Sequence, residues 1–346
     1  MILVINSGST SLKYKLFNEE EKEIKSGNFD NVSDLDFALK NILREIGDLR
    51  DIKAVGHRVV HGGDKFIEPT LVDDKILSEL EKLNDLAPLH NPFNLAGIKS
   101  ALGFLPDVPQ VAVFDTAFFS NLPEVAQTYA IPQEIIEEYK IKKFGFHGTS
   151  YAYITSEACK ILKKKINKIN LIACHLGGGW SISAIKNGEA VDTSMGLTPL
   201  EGLIMMTRAG DLDPGIIFKL LKITPGYITE EKVDALYNLL NKESGIKGIS
   251  GINNFKDLLK NVSAGNKEAK LAFDMAIYRL VKYIGAYFAV LEGKVDAIIF
   301  TGGIGAGNSM TKNSVMGKLK FLGKTLVLSI KTNEELMIAR YVKKII

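Results

Sequence analysis

The sequence predicts an α/β protein built from two similar, duplicated domains with a cleft between them. A repeated pattern carries that expectation. In Leu171-Ile-Ala-Cys-His175-Leu-Gly-Gly-Gly179 an apolar strand runs into three consecutive glycines, and a second strand, Trp180 to Lys186, leads to Asn187-Gly188. Ile2-Leu-Val-Ile-Asn6-Ser-Gly8-Ser-Thr-Ser11-Leu-Lys13-Tyr-Lys-Leu-Phe17 repeats the arrangement around a Gly/Ser/Thr turn. Well downstream of each copy lies another apolar strand that ends in a polar or glycine-rich turn, at residues 111–116 and 297–305. Chance could produce such a pair in any α/β protein, but the matching order of parts favours duplication.

Three glycines let a backbone approach closely and turn its N–H groups toward one point, which is how a loop holds phosphate. Asn187-Gly188 is a hairpin signal, so the glycines belong to a hairpin rather than to a loop that opens a helix. On this stretch alone, a phosphate hairpin and an ordinary glycine-rich turn are both open.

Length and composition narrow the classes. A chain of 346 residues can bury two cores. Its 46% hydrophobic and 24% charged residues are ordinary for a globular protein. A net charge of +3, with no arginine-rich arm, argues against nucleic acid. Cys159 and Cys174 make no disulfide framework and suggest a reducing compartment. Met1 leads directly into a strand, so no signal peptide is expected. Asp274, Arg279 and Lys282 interrupt the longest apolar helix pattern, so no membrane span is expected. The chain reads as cytoplasmic.

In order, the pattern predicts a helix over 35–46, a strand over 52–60, a helix over 74–86, and a rigid turn at Ala87-Pro-Leu-His90-Asn-Pro92. Pro92 is suited to start the next helix, over 93–102. A strand to Asp115 follows, then a short helix over 133–139, and a helix to Lys165 that Thr149 or Ser150 is positioned to cap. Beyond the central hairpin lie helices near 229–241 and 265–292, a strand near 326–330 and a last helix from Asn333. The domain boundary is expected near Phe119: residues 1–119 with 336–346 form one domain, and residues 120–335 the other.

Several motifs resemble the acetate kinase (acetate/propionate kinase) family. They are Asn6-Ser-Gly-Ser-Thr-Ser11-Leu-Lys13, Gly56-His-Arg58-Val-Val-His-Gly-Gly63, Ala87-Pro-Leu-His90-Asn-Pro92, Phe114-Asp115-Thr-Ala117 and Phe146-His147-Gly-Thr-Ser150. Asp192-Thr-Ser-Met-Gly196, Thr198-Pro-Leu-Glu-Gly202, Thr207-Arg208-Ala-Gly-Asp211 and Thr332-Asn-Glu334-Glu-Leu continue the match in order. The resemblance implies duplicated ribonuclease-H-like (actin-like ATPase) domains, a homodimer, and reversible phosphoryl transfer from ATP to acetate, giving acetyl phosphate and ADP. Propionate or butyrate kinase, or a nucleotide-binding protein without turnover, are the alternatives.

A carboxylate with a pKa of about 4 is already ionised at neutral pH and needs no base. The task is to bring two anions together and neutralise the moving phosphoryl group, which positioning and cations supply. The resemblance assigns Arg58 and Arg208 to substrate orientation and transition-state charge, His147 to the transition state and His90 to a supporting phosphate contact. It makes Asp115 the essential aspartate, which orients an arginine or helps place the metal. Val60, Leu89, Phe146 and Pro199 would line the pocket for the alkyl end. Val60 stands where an alanine would lengthen that pocket, which leans toward acetate, though one methylene discriminates by only about 1–3 kcal/mol. Ser9, Ser11 and Lys13 line the first hairpin. His175, Leu176, Gly177, Gly178 and Gly179, with Asn254, Phe255 and Lys256 and with Gly303, Ile304 and Gly305, would hold ATP. Mg²⁺, for which Mn²⁺ can substitute, would sit at Asn6 and Glu334; Glu334 also suits a helix N-terminus, and both roles can hold.

The chain departs from the family pattern in places. Gly178 stands where Asn is usual. Trp180 stands where a small residue is usual, and either covers the nucleotide or packs. The segment Asn253-Asn-Phe-Lys-Asp257 is one residue shorter than usual, and the chain is short between Lys13 and Gly56 and between Gly305 and Thr332. Gly317-x5-Gly323-Lys-Thr325 is one residue too long for a P-loop, and no Cys/His spacing suits zinc.

Overall fold

A computed structural model describes every residue except Thr10, Thr224, Pro225 and Lys324. Thr10 of the first turn and Lys324 of the rejected P-loop pattern therefore lie outside the described residues. In chain order the elements are β1 (Ile2–Ser7), β2 (Ser11–Phe17), β3 (Glu23–Asp30), α1 (Leu35–Ile46), β4 (Ala54–Val59), β5 (Thr70–Leu71), α2 (Asp74–Glu81), α3 (Asn91–Phe104) and β6 (Gln110–Phe114). Then come α4 (Glu124–Gln127), α5 (Gln133–Tyr139), α6 (Gly148–Leu162), β7 (Leu171–Leu176), β8 (Trp180–Lys186) and β9 (Glu189–Thr193). The chain ends with α7 (Pro214–Ile223), α8 (Glu230–Lys242), α9 (Gly245–Ser250), α10 (Phe255–Ser263), α11 (Lys267–Val290), β10 (Ala297–Thr301), α12 (Gly302–Gly305), α13 (Ser309–Lys318), β11 (Leu326–Ser329) and α14 (Glu334–Lys343).

These elements form two compact units. The first comprises Met1–Asn121, Phe146–Ser156 and Thr332–Ile346; the second comprises Leu122–Gly145 and Glu157–Lys331. The first unit thus takes in the segment around His147 and all of α14, which the expected division at 120–335 did not. Two contacts tie those pieces to it. Phe118 stacks on Tyr151 with ring centroids 6.1 Å apart, and the Ser150 hydroxyl donates to Thr332 Oγ1 at 2.8 Å. Ser150 is therefore no helix cap, and neither is Thr149, because α6 starts before both of them at Gly148. The long helix expected over 74–86 breaks after Glu81 into a 3-10 turn, Asn84–Leu86.

In the first unit the strand order is β3-β2-β1-β4-β6-β5, with β1, β4 and β6 parallel. Alternation divides the residues between the two faces of the sheet. Leu3, Ile5, Leu12 and Tyr14 pack with Leu39 and Ile42 of α1, whereas Val4, Ala54, Val111 and Val113 pack with Ile338 and Val342 of α14. Asn6, Arg58 and Asp115 each lie two residues beyond Val4, Gly56 and Val113. They therefore reach the α14 side at the carboxyl ends of three neighbouring parallel strands. Open α/β sheets bind ligands at such ends.

The second unit repeats this topology. Its order is β11-β10-β7-β8-β9, so a hairpin and a third antiparallel strand again flank two parallel strands. The counterpart of β10 is β4, next to the hairpin, and β11 corresponds to β6. The sequence repeat paired residues 111–116 with 297–305; the strand order shifts that pairing by one strand. The three glycines join β7 to β8, while Asn187 and Gly188, at φ of 54° and 84°, make the turn from β8 to β9. Positive φ at both positions is what the two-residue hairpin turn requires. The long α11 buries Ala269, Phe273, Ala276, Leu280, Ile284 and Tyr287 at helical spacing. Among the described residues, no helix is long and apolar enough to cross a membrane.

Candidate active site

In the first unit the site is built around Asp115, which is 1% exposed. Arg58 donates Nε and Nη2 to Asp115 Oδ2 at 3.1 and 2.6 Å, and Thr149 Oγ1 donates to Oδ1 at 2.8 Å. Both carboxylate oxygens are thus engaged, which suits orienting a cation and leaves no lone base. Burial works against the Arg58 charge, but Asp115 and then Glu334 outweigh it and hold its pKa above the ordinary arginine value. Glu334 opens α14, whose cap is Asn333, accepting from Leu336 N. Burial raises the Glu334 carboxyl above the usual range; Arg58 pulls it down, while Asp115 and Glu335 push it up again. Lys13 faces Asn6 across the first hairpin and adds its own downward pull on Glu334.

Two asparagines that sequence reasoning passed over fix the strand ends. Asn94 of α3 accepts from Val60 N at 3.1 Å and donates to Ser7 O at 2.6 Å, so one side chain clamps the ends of β1 and β4. Asn91 exchanges hydrogen bonds with the backbone of His61, at 3.0 Å each way. Their signal was the Asn following His90, three residues before a second Asn on one helical face. His90 itself precedes α3, and its carbonyl accepts from Phe93 N and Asn94 N. Val60 and Leu89 are partly exposed and Phe146 is buried. His147 follows with φ of 61°, a left-handed conformation uncommon outside glycine. Ser9 is exposed and Ser11 partly so, at the turn closed by Gly8 N to Ser11 O at 2.7 Å.

In the second unit, a cavity of about 740 Å³ is lined by Gly177, Gly178 and Gly179, Met206 to Arg208, Asn253 to Phe255, Gly303 and Ile304. A second cavity of about 660 Å³ shares Phe255, Gly303 and Ile304, and runs on to Lys256, Lys260, Gly307 and Asn308. The predicted phosphate loops therefore converge with Asn254, Phe255 and Lys256. Leu176 and Gly305 are both buried, with Gly305 against Leu176, and neither lines these two cavities. His175 is likewise buried on β7 rather than lining them. Trp180 packs: it is fully buried, with its ring 5.7 Å from that of Phe255. Arg208 donates to Pro199 O at 3.3 Å and approaches Met205 Sδ at 3.7 Å, and it has no carboxylate partner among the described residues. Burial lowers its pKa, while Tyr237 favours its charge. A desolvated guanidinium held by neutral groups is suited to receive an anion.

The acetokinase family model matches residues 18–326. The chain belongs to the acetokinase family. Acetate kinase of Thermotoga maritima is 43% identical over 402 aligned positions that cover 100% of this chain and 98% of the relative. More positions are aligned than the chain has residues, so the relative carries segments that this acetokinase-family chain lacks. The crystal structure of acetate kinase from Porphyromonas gingivalis superposes with a TM-score of 0.91 at 34% identity, covering 99% of each chain. A propionate kinase from Francisella tularensis subsp. tularensis SCHU S4 gives 0.90 at 37% identity, covering 98% of each. The duplicated actin-like ATPase fold expected from the motifs is that of these family members.

Proposed function

We propose that this acetokinase-family chain is an acetate kinase acting by direct in-line transfer. An acetate oxygen attacks the γ-phosphorus of ATP as the bond to the β–γ bridging oxygen breaks, giving acetyl phosphate and ADP. The observation that carries the charge assignment is Arg208, a half-buried guanidinium without an acidic partner among the described residues. Arg58, oriented by Asp115, binds the acetate carboxylate, since its Nη1 makes no hydrogen bond to a described residue. Arg208 and His147 stabilise the moving phosphoryl group, and His90 supports a phosphate contact. Val60, Leu89, Phe146 and Pro199 are the residues that the family resemblance assigns to the methyl group. Gly177 to Gly179, Gly303, Ile304 and Asn254 to Lys256 take ATP, with Ser9, Ser11 and Lys13 of the first hairpin nearby in role.

Mg²⁺ fits this chemistry. Among the described residues, no group of three or more His, Cys, Asp or Glu could hold a metal. That suits an ion which keeps most of its waters and uses one or two carboxylates with substrate phosphates. Glu334, a carboxylate whose charge burial disfavours, gains from a cation, and Asn6 reaches the same side of the sheet. Bound there, the ion would offset phosphate charge.

The homodimer is supported by α7, which has no buried residue and exposes Ile216, Phe218 and Ile223. Both cysteines are free, which supports a reducing cytoplasmic setting. Propionate is the second reading, favoured by the likeness to the propionate kinase structure. Acyl hydroxamate formation from ATP, Mg²⁺ and acetate, propionate or butyrate tests the assignment, with Arg208→Ala as control. Turnover highest on acetate and greatly reduced, though still measurable, in the control is expected; a maximum on butyrate overturns the acetate assignment.

A further inference from the structure

The segment between β9 and α7, residues 194–213, has no helix or strand, yet it carries Arg208. An arginine in an ion pair is aimed by its partner, as Arg58 is by Asp115. Arg208 has no such partner, so its aim depends on the loop that supplies Pro199 O and Met205 Sδ. What shapes that loop is a side-chain cluster outside the site. The Tyr129 hydroxyl accepts from Leu197 N at 2.9 Å and donates to Glu201 Oε2. Glu201 Oε1 takes an ion pair from Lys143 Nζ at 2.6 Å, with Lys143 only 13% exposed. Backbone contacts reinforce this, since Gly196 O accepts from Phe144 N at 3.0 Å. A Cβ at Gly196 would displace the Glu201 carboxylate and the Tyr129 hydroxyl, so glycine leaves room for this cluster. The loop's far end is closed where Gly202 N donates to Asp211 Oδ1 at 2.7 Å and Arg279 donates to Gly202 O at 3.1 Å.

We infer that Tyr129, Lys143 and Glu201 form a positioning lock that fixes residues 197–201 and thereby aims the Arg208 guanidinium for phosphoryl transfer. The inference rests on the reading of Arg208 given above. Misplacing a catalytic group by about 1 Å can cost on the order of 100-fold in rate, and a loop freed at two of its anchors has room for that. None of the three lock residues is assigned to touch substrate, so their effect must pass through Arg208.

A double-mutant cycle on the full chain tests this, reading acetyl hydroxamate turnover and thermal unfolding. Tyr129→Phe removes only the hydroxyl. It is expected to lower kcat about tenfold with the KM for ATP changed by less than about twofold, and to cost less than about twofold in an Arg208→Ala background. An equal loss in both backgrounds shows a general structural role and overturns the lock, as does no loss in the parent. If Tyr129→Phe does not fold, Glu201→Gln carries the same cycle with the same expectations. An Arg208→Ala control that keeps full turnover defeats the assignment of Arg208 itself, a failure distinguishable from failure of the lock.

Discussion

Trp180 donates its indole N–H to the carbonyl oxygen of Gly177 across 2.9 Å, so a fully buried ring braces the glycine loop from its own strand. The same ring packs against Phe255, which in turn contacts Phe273 of α11. The residue that breaks the small-residue pattern thus links the two sides of the proposed nucleotide cavity. Trp180→Phe keeps an aromatic body but loses the donor. It is expected to raise the KM for ATP several-fold and to cost about 1–2 kcal/mol of stability. Steady-state kinetics and urea unfolding check it; an unchanged KM would show that the brace does not shape the loop.

Gly178 lies exposed in that loop, and a Cβ built there meets no atom within 4 Å. Its φ is not in the left-handed region, so a side chain is tolerated. The loop can therefore accept Asn, whose amide adds a donor toward phosphate. Gly178→Asn is expected to lower the KM for ATP about threefold, in line with a net hydrogen bond of about 0.5–1.5 kcal/mol. Stability should hold or rise slightly, because the unfolded chain loses freedom. A raised KM would count against the orientation proposed for the loop.

Thr149 holds the second oxygen of Asp115. Thr149→Val preserves shape and removes the bond, leaving Asp115 Oδ1 buried with one partner fewer. The expected result is a fall in kcat of about five- to tenfold, together with about 1–3 kcal/mol of destabilisation for the under-satisfied acceptor. Thermal unfolding and turnover of the purified variant measure both. A stability loss with unchanged kcat would mean that Arg58 does not need Asp115 held in one orientation.

Much of this arrangement was legible because it follows from short-range rules. Asn6, Arg58 and Asp115 each stand two residues past Val4, Gly56 and Val113, so the strand period alone sends the three polar residues to one side. The bounds Leu35–Ile46 and Gln133–Tyr139 match the helical pattern residue for residue. What stayed hidden depends on distant partners. Thr149 looked like a helix cap, but its hydroxyl serves an aspartate 34 positions away in sequence. The packing of Leu176 and Gly305 was equally hidden: they meet in the space between β7 and α12, which no local pattern shows. The strand equivalence was missed because β4 precedes β6 in sequence while spacing alone pointed to β6. Only pairing reveals which strand lies beside the hairpin.

His57 gives the first unit a pH dependence that can be isolated. It sits buried on β4, Nε2 donating to Gln110 Oε1 at 2.8 Å, and burial pulls its pKa from the usual 6.5 down to about 4. The folded state thus binds the proton less readily than the unfolded chain. Its contribution is fully present above pH 6.5 and is lost as pH falls through about 4, amounting to about 3 kcal/mol across that window. Carboxylates titrate over the same range, so the parent's slope alone is not diagnostic. His57→Asn removes the titrating group while leaving a polar side chain for Gln110. Urea unfolding of both proteins at pH 7.5, 5.5 and 4.5 should show the parent more stable at pH 7.5, with the gap narrowing steadily toward acid. A gap that stays constant with pH would mean His57 is equally easy to protonate in the folded and unfolded chains, contradicting its burial beneath α3.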